Sequence, residues 1–227
     1  MPWIASPSAR NDDVLLITTE PDSPVSGLDA AIHSRRTVRR FLAEAVPDAV
    51  LLRIIGAATR APSAHNRQPW RFRVVTDSTE KAGLADAMGG RLSADRTRDG
   101  DDAIAIAQDV ARSSGRINGA PALIAVCMTL DDMDAYPDDH RSRAEYLMAV
   151  QSTAMAAQNL LLAAHGEGLG ACWMCAPLFC AETVAGALSL PLSWQPQGLI
   201  LLGRPAEPGR VRERKPIGEI VRGLDTP

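Results

Sequence analysis

The sequence has few cysteines, and their spacing argues against both a disulfide framework and a metal site. Only four occur in 227 residues: Cys127, Cys172, Cys175 and Cys180. Cytosolic thiols are normally reduced, so disulfides are not expected. Cys172 and Cys175 supply half of a zinc site at most, and His165 with Cys180 completes no standard ligand spacing. We therefore predict no metal, and small thiols buried beside a strand.

The sequence also lacks a strong net charge and a long apolar run. The net charge of -3 gives no overall field that would hold a polyanion, so nucleic-acid binding would need a local basic patch. The longest clean apolar runs, such as Leu199–Leu202, are too short to span a bilayer. Val14–Ile17 follows two aspartates, which is unlike an export signal. We expect a cytoplasmic protein with neither nucleic acid nor membrane as a partner.

The order of patterns along the chain predicts one α+β domain over residues 28–227, preceded by an irregular, proline-containing arm over residues 1–27. Helices are predicted at 28–34, from Pro47 to before Pro62, at Ala144–His165 and at about Ala181–Leu188. Strands are predicted at Arg71–Thr76, Pro121–Met128, Ala171–Cys175 and Gln197–Gly203. Residues 77–117 and 131–143 are polar and rich in Gly and Asp, which predicts loops, with one or two short helices, that act as a mobile lid.

Two basic clusters are candidate anion sites. The first, Ser34–Phe41, has four arginines in six residues, which can surround a phosphate and donate to a polar ring edge. By charge alone, a solvated basic face is the commoner explanation, and no aromatic residues interleave for base stacking. The second cluster is Arg212–Lys215, which follows Gly203-Arg204-Pro205 and could close a phosphate site from the other side.

Two further segments are suited to holding a planar ligand. Ala61–Trp70 contains two prolines that fix its backbone, and it presents short polar side chains from Ser63, Asn66 and Gln68. Gly168–Pro177 combines glycines that allow close approach with an apolar strand that offers backbone N–H groups. Taken alone, the first could be an ordinary helix-to-strand connection and the second plain core.

Together, the four segments resemble the nitroreductase family over residues of about 28–222. The matching stretches are RRTVRRF, APSAHNRQPWRF, NLLLAAHGEGLGACW and GRPAEP…RERKP, in the family's order and at its spacing. The resemblance implies an α+β fold with a central, mostly antiparallel sheet of about four to five strands flanked by helices. It also implies an intertwined homodimer that binds FMN at the subunit interface.

The resemblance assigns cofactor-binding roles to twelve residues. The phosphate and ribityl side of FMN would be lined by Arg35, Arg36 and Thr37, and the phosphate gripped by Arg212 and Arg214. Arg39 would reach the pyrimidine edge of the flavin. The loop contributed by the other subunit would be Pro62, Ser63, Ala64 and Asn66. A backbone amide at Met174 and Cys175 would face the ring nitrogen that accepts hydride, although Cys175 and Ala176 replace residues that are often Gly or Glu-Gly in the family.

The implied activity is hydride transfer from NADH or NADPH through FMN to a small organic acceptor by a ping-pong mechanism. The cofactor performs the transfer, so no catalytic side chain is predicted. The acceptor would be a nitroaromatic, a quinone or a dehydro-deazaflavin precursor, because YPDDHRSRAEYLM…QNLLLAAHGEGLGACWMCAPLF looks most like the branch of deazaflavin-coenzyme biosynthesis.

Two alternatives stay open. One is the flavin destructase of benzimidazole synthesis, whose loop usually has Gly-Phe where this chain has His65-Asn66. The other is a non-catalytic flavin-binding or redox-sensing protein.

Overall fold

The structure, a computed structural model, describes residues 27–224. These residues fold around a four-stranded antiparallel sheet. The strands are β1 (Trp70–Val75), β2 (Ala122–Met128), β3 (Gly170–Met174) and β4 (Gln195–Gly203), in the order β1-β2-β4-β3. All four lie where the sequence predicts them, to within two residues, and the predicted fold class is confirmed. Nearly all of the predicted N-terminal arm lies outside the described residues.

Seven α-helices and two short 3₁₀ turns lie among the described residues. The helices are α1 (Leu28–Ser34), α2 (Asp48–Ala58), α3 (Ser78–Arg98), α4 (Ala103–Asn118), α5 (Asp139–Gly166), α6 (Ala181–Ala187) and α7 (Ile217–Ile220). The 3₁₀ turns are Ala64–Asn66 and Ala176–Phe179.

The prediction of loops over residues 77–117 is wrong, because two long helices, α3 and α4, fill this region. Each helix begins at an aspartate cap: the Asp77 side chain accepts from Glu80 N, and the Asp102 side chain accepts from Ala105 N. Helix α3 is mostly polar and buries only a narrow row of residues, whereas half of the residues of α4 are apolar, and the two helices pack against each other. The low apolar content of α3 therefore reflects solvent exposure and not irregular backbone. Helix α5 likewise begins at Asp139, so only residues 131–138 of the second predicted lid lack regular structure.

Alternate residues of the sheet face two separate apolar layers. Ile124 and Ile200 pack on one face with α2 and α5, whereas Leu123 and Leu199 pack on the other face with α3 and α6. Among the described helices, α5 is the one that is long and apolar enough to cross a membrane by length and composition. It packs on α2 and the sheet, as the core helix of a folded domain does.

Candidate functional site

A cleft of about 730 Å³ runs between the segment after α1, the outer part of α4 and the C-terminal tail. One carboxylate, that of Glu207, lines it. Its walls carry nine arginines: Arg35, Arg36, Arg39, Arg40, Arg112, Arg116, Arg210, Arg212 and Arg214. The structure therefore brings together six of the predicted site residues, namely Arg35, Arg36, Thr37, Arg39, Arg212 and Arg214.

Backbone hydrogen bonds hold the first arginine cluster against the sheet edge. Val38 N donates to Ala171 O of β3 at 3.0 Å, and Leu42 N donates to Arg204 O at 2.9 Å. Gly170 makes this approach possible, because a Cβ there would lie 2.7 Å from the Cβ of Val38. The arginines are thus carried on an extended segment fixed to the sheet.

The C-terminal tail crosses the first cluster at a second close approach. A Cβ at Gly209 would lie 2.4 Å from the Cβ of Arg36, so glycine lets the tail pass directly over this backbone. The Arg36 guanidinium in turn donates to His33 O at 2.5 Å and to Arg35 O at 3.0 Å. This crossing brings the second basic cluster to the same cleft as the first.

Like charges are crowded at one end of the cleft. Burial, then Arg214 and Arg36, lower the pKa of the Arg35 guanidinium. Seven of the nine arginines form no ion pair with a carboxylate of residues 27–224; the exceptions are Arg40, whose Nε lies 3.7 Å from Glu207 Oε1, and Arg112, which pairs with Asp109. Gathering unpaired guanidinium groups is unfavourable unless an anion compensates them, and a phosphate matches their geometry.

A partly buried histidine adjoins this end of the cleft. Ser34 Oγ donates to Ala30 O at 2.6 Å, so its one proton is used and His165 Nε2, 2.7 Å away, is the donor to Ser34 Oγ. Burial, Arg35 and Arg36 lower the pKa of His165. The ring is therefore held neutral beside the arginines.

Beside β3, two other arginines of the cleft approach a buried thiol. Burial raises the pKa of Cys172, while Arg39 and Arg116 oppose this shift. Arg39 is the residue predicted to reach the flavin ring edge. Arg112 and Arg116 of α4 were missed at the sequence level because their region was predicted to be loop. Their i, i+4 spacing, after the capping residue Asp102, was the signal available.

The predicted loop residues Pro62, Ser63, Ala64 and Asn66 do not line this cleft. Their loop packs instead on α5, where Ala64 N donates to Ser152 Oγ at 3.2 Å. Its backbone is strained, since His65, Asn66 and Gln68 have φ of 50°, 55° and 51°. Such strain is concentrated at functional sites. Their role in a neighbouring subunit's site stays a prediction.

Met174, the last residue of β3, and Cys175, which follows it, also lie outside the lining of the cleft. Trp173 Nε1 donates to Cys175 Sγ at 2.9 Å, and the Trp173 ring lies over Gly198, where a Cβ would be 2.4 Å from Cζ2. These contacts fix the backbone at the position predicted to face the flavin nitrogen that accepts hydride. Cys175 is exposed, so the prediction of buried thiols is wrong for it, whereas the other three cysteines are buried.

Comparison with known proteins gives a consistent result. The model of the nitroreductase family matches residues 32–204. An NADH dehydrogenase of Thermus thermophilus is 28% identical over 89% of this chain and 98% of its own length. A 5,6-dimethylbenzimidazole synthase of Rhodospirillum rubrum is 30% identical over 86% of this chain and 87% of its own. A structure from Desulfovibrio desulfuricans, solved in complex with FMN and described as that of a nitroreductase, superimposes with a TM-score of 0.66 at 28% identity, covering 87% of this chain and 96% of that one.

Proposed function

Since this chain belongs to the nitroreductase family of oxidoreductases, we propose that it is an FMN-dependent enzyme. It would pass hydride from NADH or NADPH to a small organic acceptor in the cytoplasm. The crowding of Arg35 against Arg214 and Arg36 carries this proposal, because unpaired guanidinium groups at one place need an anion of the size of a phosphate. The Desulfovibrio protein, which has a similar fold, was solved in complex with FMN.

The residues present fit FMN along the length of the cleft. The phosphate would be held by Arg35, Arg212 and Arg214, with Arg36 and Thr37 beside the ribityl chain. Beside β3, Arg39 would donate to the pyrimidine edge, and Arg116 adds a second positive charge there. When bound, FMN supplies the acceptance and donation of hydride, so the protein needs only to position it and to stabilise negative charge.

The second half of each site would come from another copy of the chain. The strained Pro62–Asn66 loop lies away from the arginine cleft, and Met155 of α5 is 40% exposed in the single chain. An apolar side chain left uncovered on a core helix is suited to a subunit interface. We therefore propose a homodimer in which this loop of the other subunit completes the flavin site, with the backbone at Met174 and Cys175 facing the ring nitrogen that accepts hydride.

The proposed cycle is ping-pong, with the nucleotide leaving before the acceptor enters the same space. Nitroaromatics, quinones and a dehydro-deazaflavin precursor are the candidate acceptors. Backbone amides at the end of β3, held by the Trp173 contacts, would orient the ring for both half-reactions.

The test is optical and needs only purified protein. It should be yellow, and NADH or NADPH should bleach it in the absence of oxygen within seconds to minutes. Adding each candidate acceptor should then restore the colour at a rate that ranks the acceptors. A yellow protein that resists both nucleotides would favour the flavin-binding alternative, and a protein that takes up no FMN would refute both.

One comparison supports a second candidate, the flavin destructase reaction. The Rhodospirillum benzimidazole synthase is 30% identical to this chain over 202 residues. The two candidates differ in what becomes of reduced flavin in air. Chromatography after aerobic incubation should recover FMN intact if the protein is a reductase, whereas release of 5,6-dimethylbenzimidazole would identify a destructase.

A further inference from the structure

One arginine of the cleft is positioned by a network that has no part in the proposed flavin contacts. Arg112 pairs with Asp109 one turn earlier on α4, and the same carboxylate pairs with Arg96 of α3. Arg96 also donates to Asp101 at 2.6 Å. Asp101 and Asp109 thus balance the charges of the two arginines, and Asp109 holds the Arg112 guanidinium at the wall of the cleft.

Arg112 lines the cleft but is not among the residues proposed to hold the flavin. It is one helical turn from Arg116, about 6 Å along the axis of α4, and Arg116 is the residue near Cys172. The proposed phosphate end of the cleft lies where Arg214 approaches Arg35. FMN has a single phosphate group, and even after it binds, most of the positive charge lining the cleft stays uncompensated.

We propose that Arg112 forms a second anion subsite, which takes a phosphate group of the nicotinamide nucleotide. This assignment rests on the proposed function. A planar guanidinium anchored from behind presents its remaining N–H groups in a fixed direction, which suits a phosphate oxygen. The group bound is either the 2′-phosphate of NADPH or the pyrophosphate that NADH and NADPH share.

The subsite can be tested by calorimetry on the FMN-loaded protein without turnover. Adenosine 2′,5′-bisphosphate and adenosine 5′-diphosphate serve as probes of the two phosphate groups. Arg112→Gln should weaken at least one probe roughly tenfold or more, with flavin content unchanged. The affinity of Arg112→Lys for that probe should lie between the affinities of Arg112→Gln and of the unmodified protein. Arg98→Gln, an exposed arginine of α3 that does not line the cleft, should behave as the unmodified protein.

The outcome identifies the group that is bound. Loss confined to the bisphosphate assigns the subsite to the 2′-phosphate and predicts that Arg112→Gln impairs bleaching by NADPH alone. Loss confined to the diphosphate, or of both probes, assigns it to the pyrophosphate. Three outcomes would overturn the assignment. Arg112→Gln and the unmodified protein could bind the probes with equal affinity, or neither probe could bind at all. Flavin could also be lost from Arg112→Gln and not from the other variants. Failure of both nucleotides to bleach a protein that still binds the probes would count against the proposed function and not against the subsite.

Discussion

Two arginines from opposite ends of the chain, Arg35 and Arg214, lie close enough for one to lower the pKa of the other. Replacing both by Ala should leave the fold intact and release FMN. Each charge-assisted hydrogen bond contributes about 1.5–3 kcal/mol, so the double variant should bind flavin roughly a hundredfold more weakly or worse. Flavin fluorescence titration measures this. Arg98→Ala is the control, and unchanged flavin retention on dialysis of the double variant would refute the phosphate assignment.

The packing of Trp173 on Gly198 makes a second residue-level prediction. A Cβ at Gly198 would lie 2.4 Å from the indole ring, so Gly198→Ala must displace the ring or the strand. We expect a loss of about 1–3 kcal/mol in the free energy of unfolding, which is typical of overpacking. Urea denaturation checks it. Gly186→Ala in α6, where a Cβ would meet open space, should instead be neutral or slightly stabilising.

His165 should make stability depend on pH in a defined direction. Its pKa is lowered in the folded protein, so the unfolded chain binds the proton more readily. The neutral ring's contribution to stability is complete above 6.5, its ordinary pKa, and is lost as pH falls below it through the lower folded pKa. Urea midpoints across about pH 5 to 8 should therefore vary less in His165→Gln than in the unmodified protein. His140→Gln, which changes an exposed histidine, should keep the original slope.

At the scale of elements, the segment between β2 and α5 is the proposed determinant of acceptor choice. It is tethered by Asp132, 3.3 Å from Arg71, and by Asp134, 2.5 Å from Arg67. Replacing residues 132–136 by two glycines should change the ranking of acceptors while flavin reduction by the nucleotide changes little. This replacement leaves Asp138 in place, and the side chain of Asp138 caps α5. Stopped-flow absorbance separates the two half-reactions, and equal slowing of both would exclude the segment as an acceptor lid.

At the scale of the whole molecule, the proposed dimer links assembly to flavin binding. Met155→Asp should place a charge on the uncovered face of α5 and reduce dimer and flavin content together, because the site would need both chains. Light scattering with flavin absorbance measures both. Leu192→Asp, at a fully exposed leucine before β4, is the control. A monomeric Met155→Asp protein with its full flavin content would contradict the shared site.

Local pattern determined much of the fold. Alternating or continuous apolar runs predicted β1 and β2, and the apolar length of α5 predicted a central helix, because burial on one or both faces leaves its period in the sequence. The same reasoning failed for α3 and α4. Helix α3 is mostly polar and is supported by its cap and by packing against α4, so its composition resembles a loop, whereas α4 was missed although half of its residues are apolar.

The amino-acid sequence by itself determined the family, through the order of four short motifs, and with it five arginines and one threonine that the structure gathers into one cleft. Tertiary structure alone decided that Arg112 and Arg116 join them, since only the packing of α4 against α3 brings residues so distant in the chain to one anion site. It also decided that the Pro62–Asn66 loop lies away from that cleft on α5. The physical reason is that a motif encodes the backbone and side chains of its own segment, whereas a shared site depends on where the sheet places each segment.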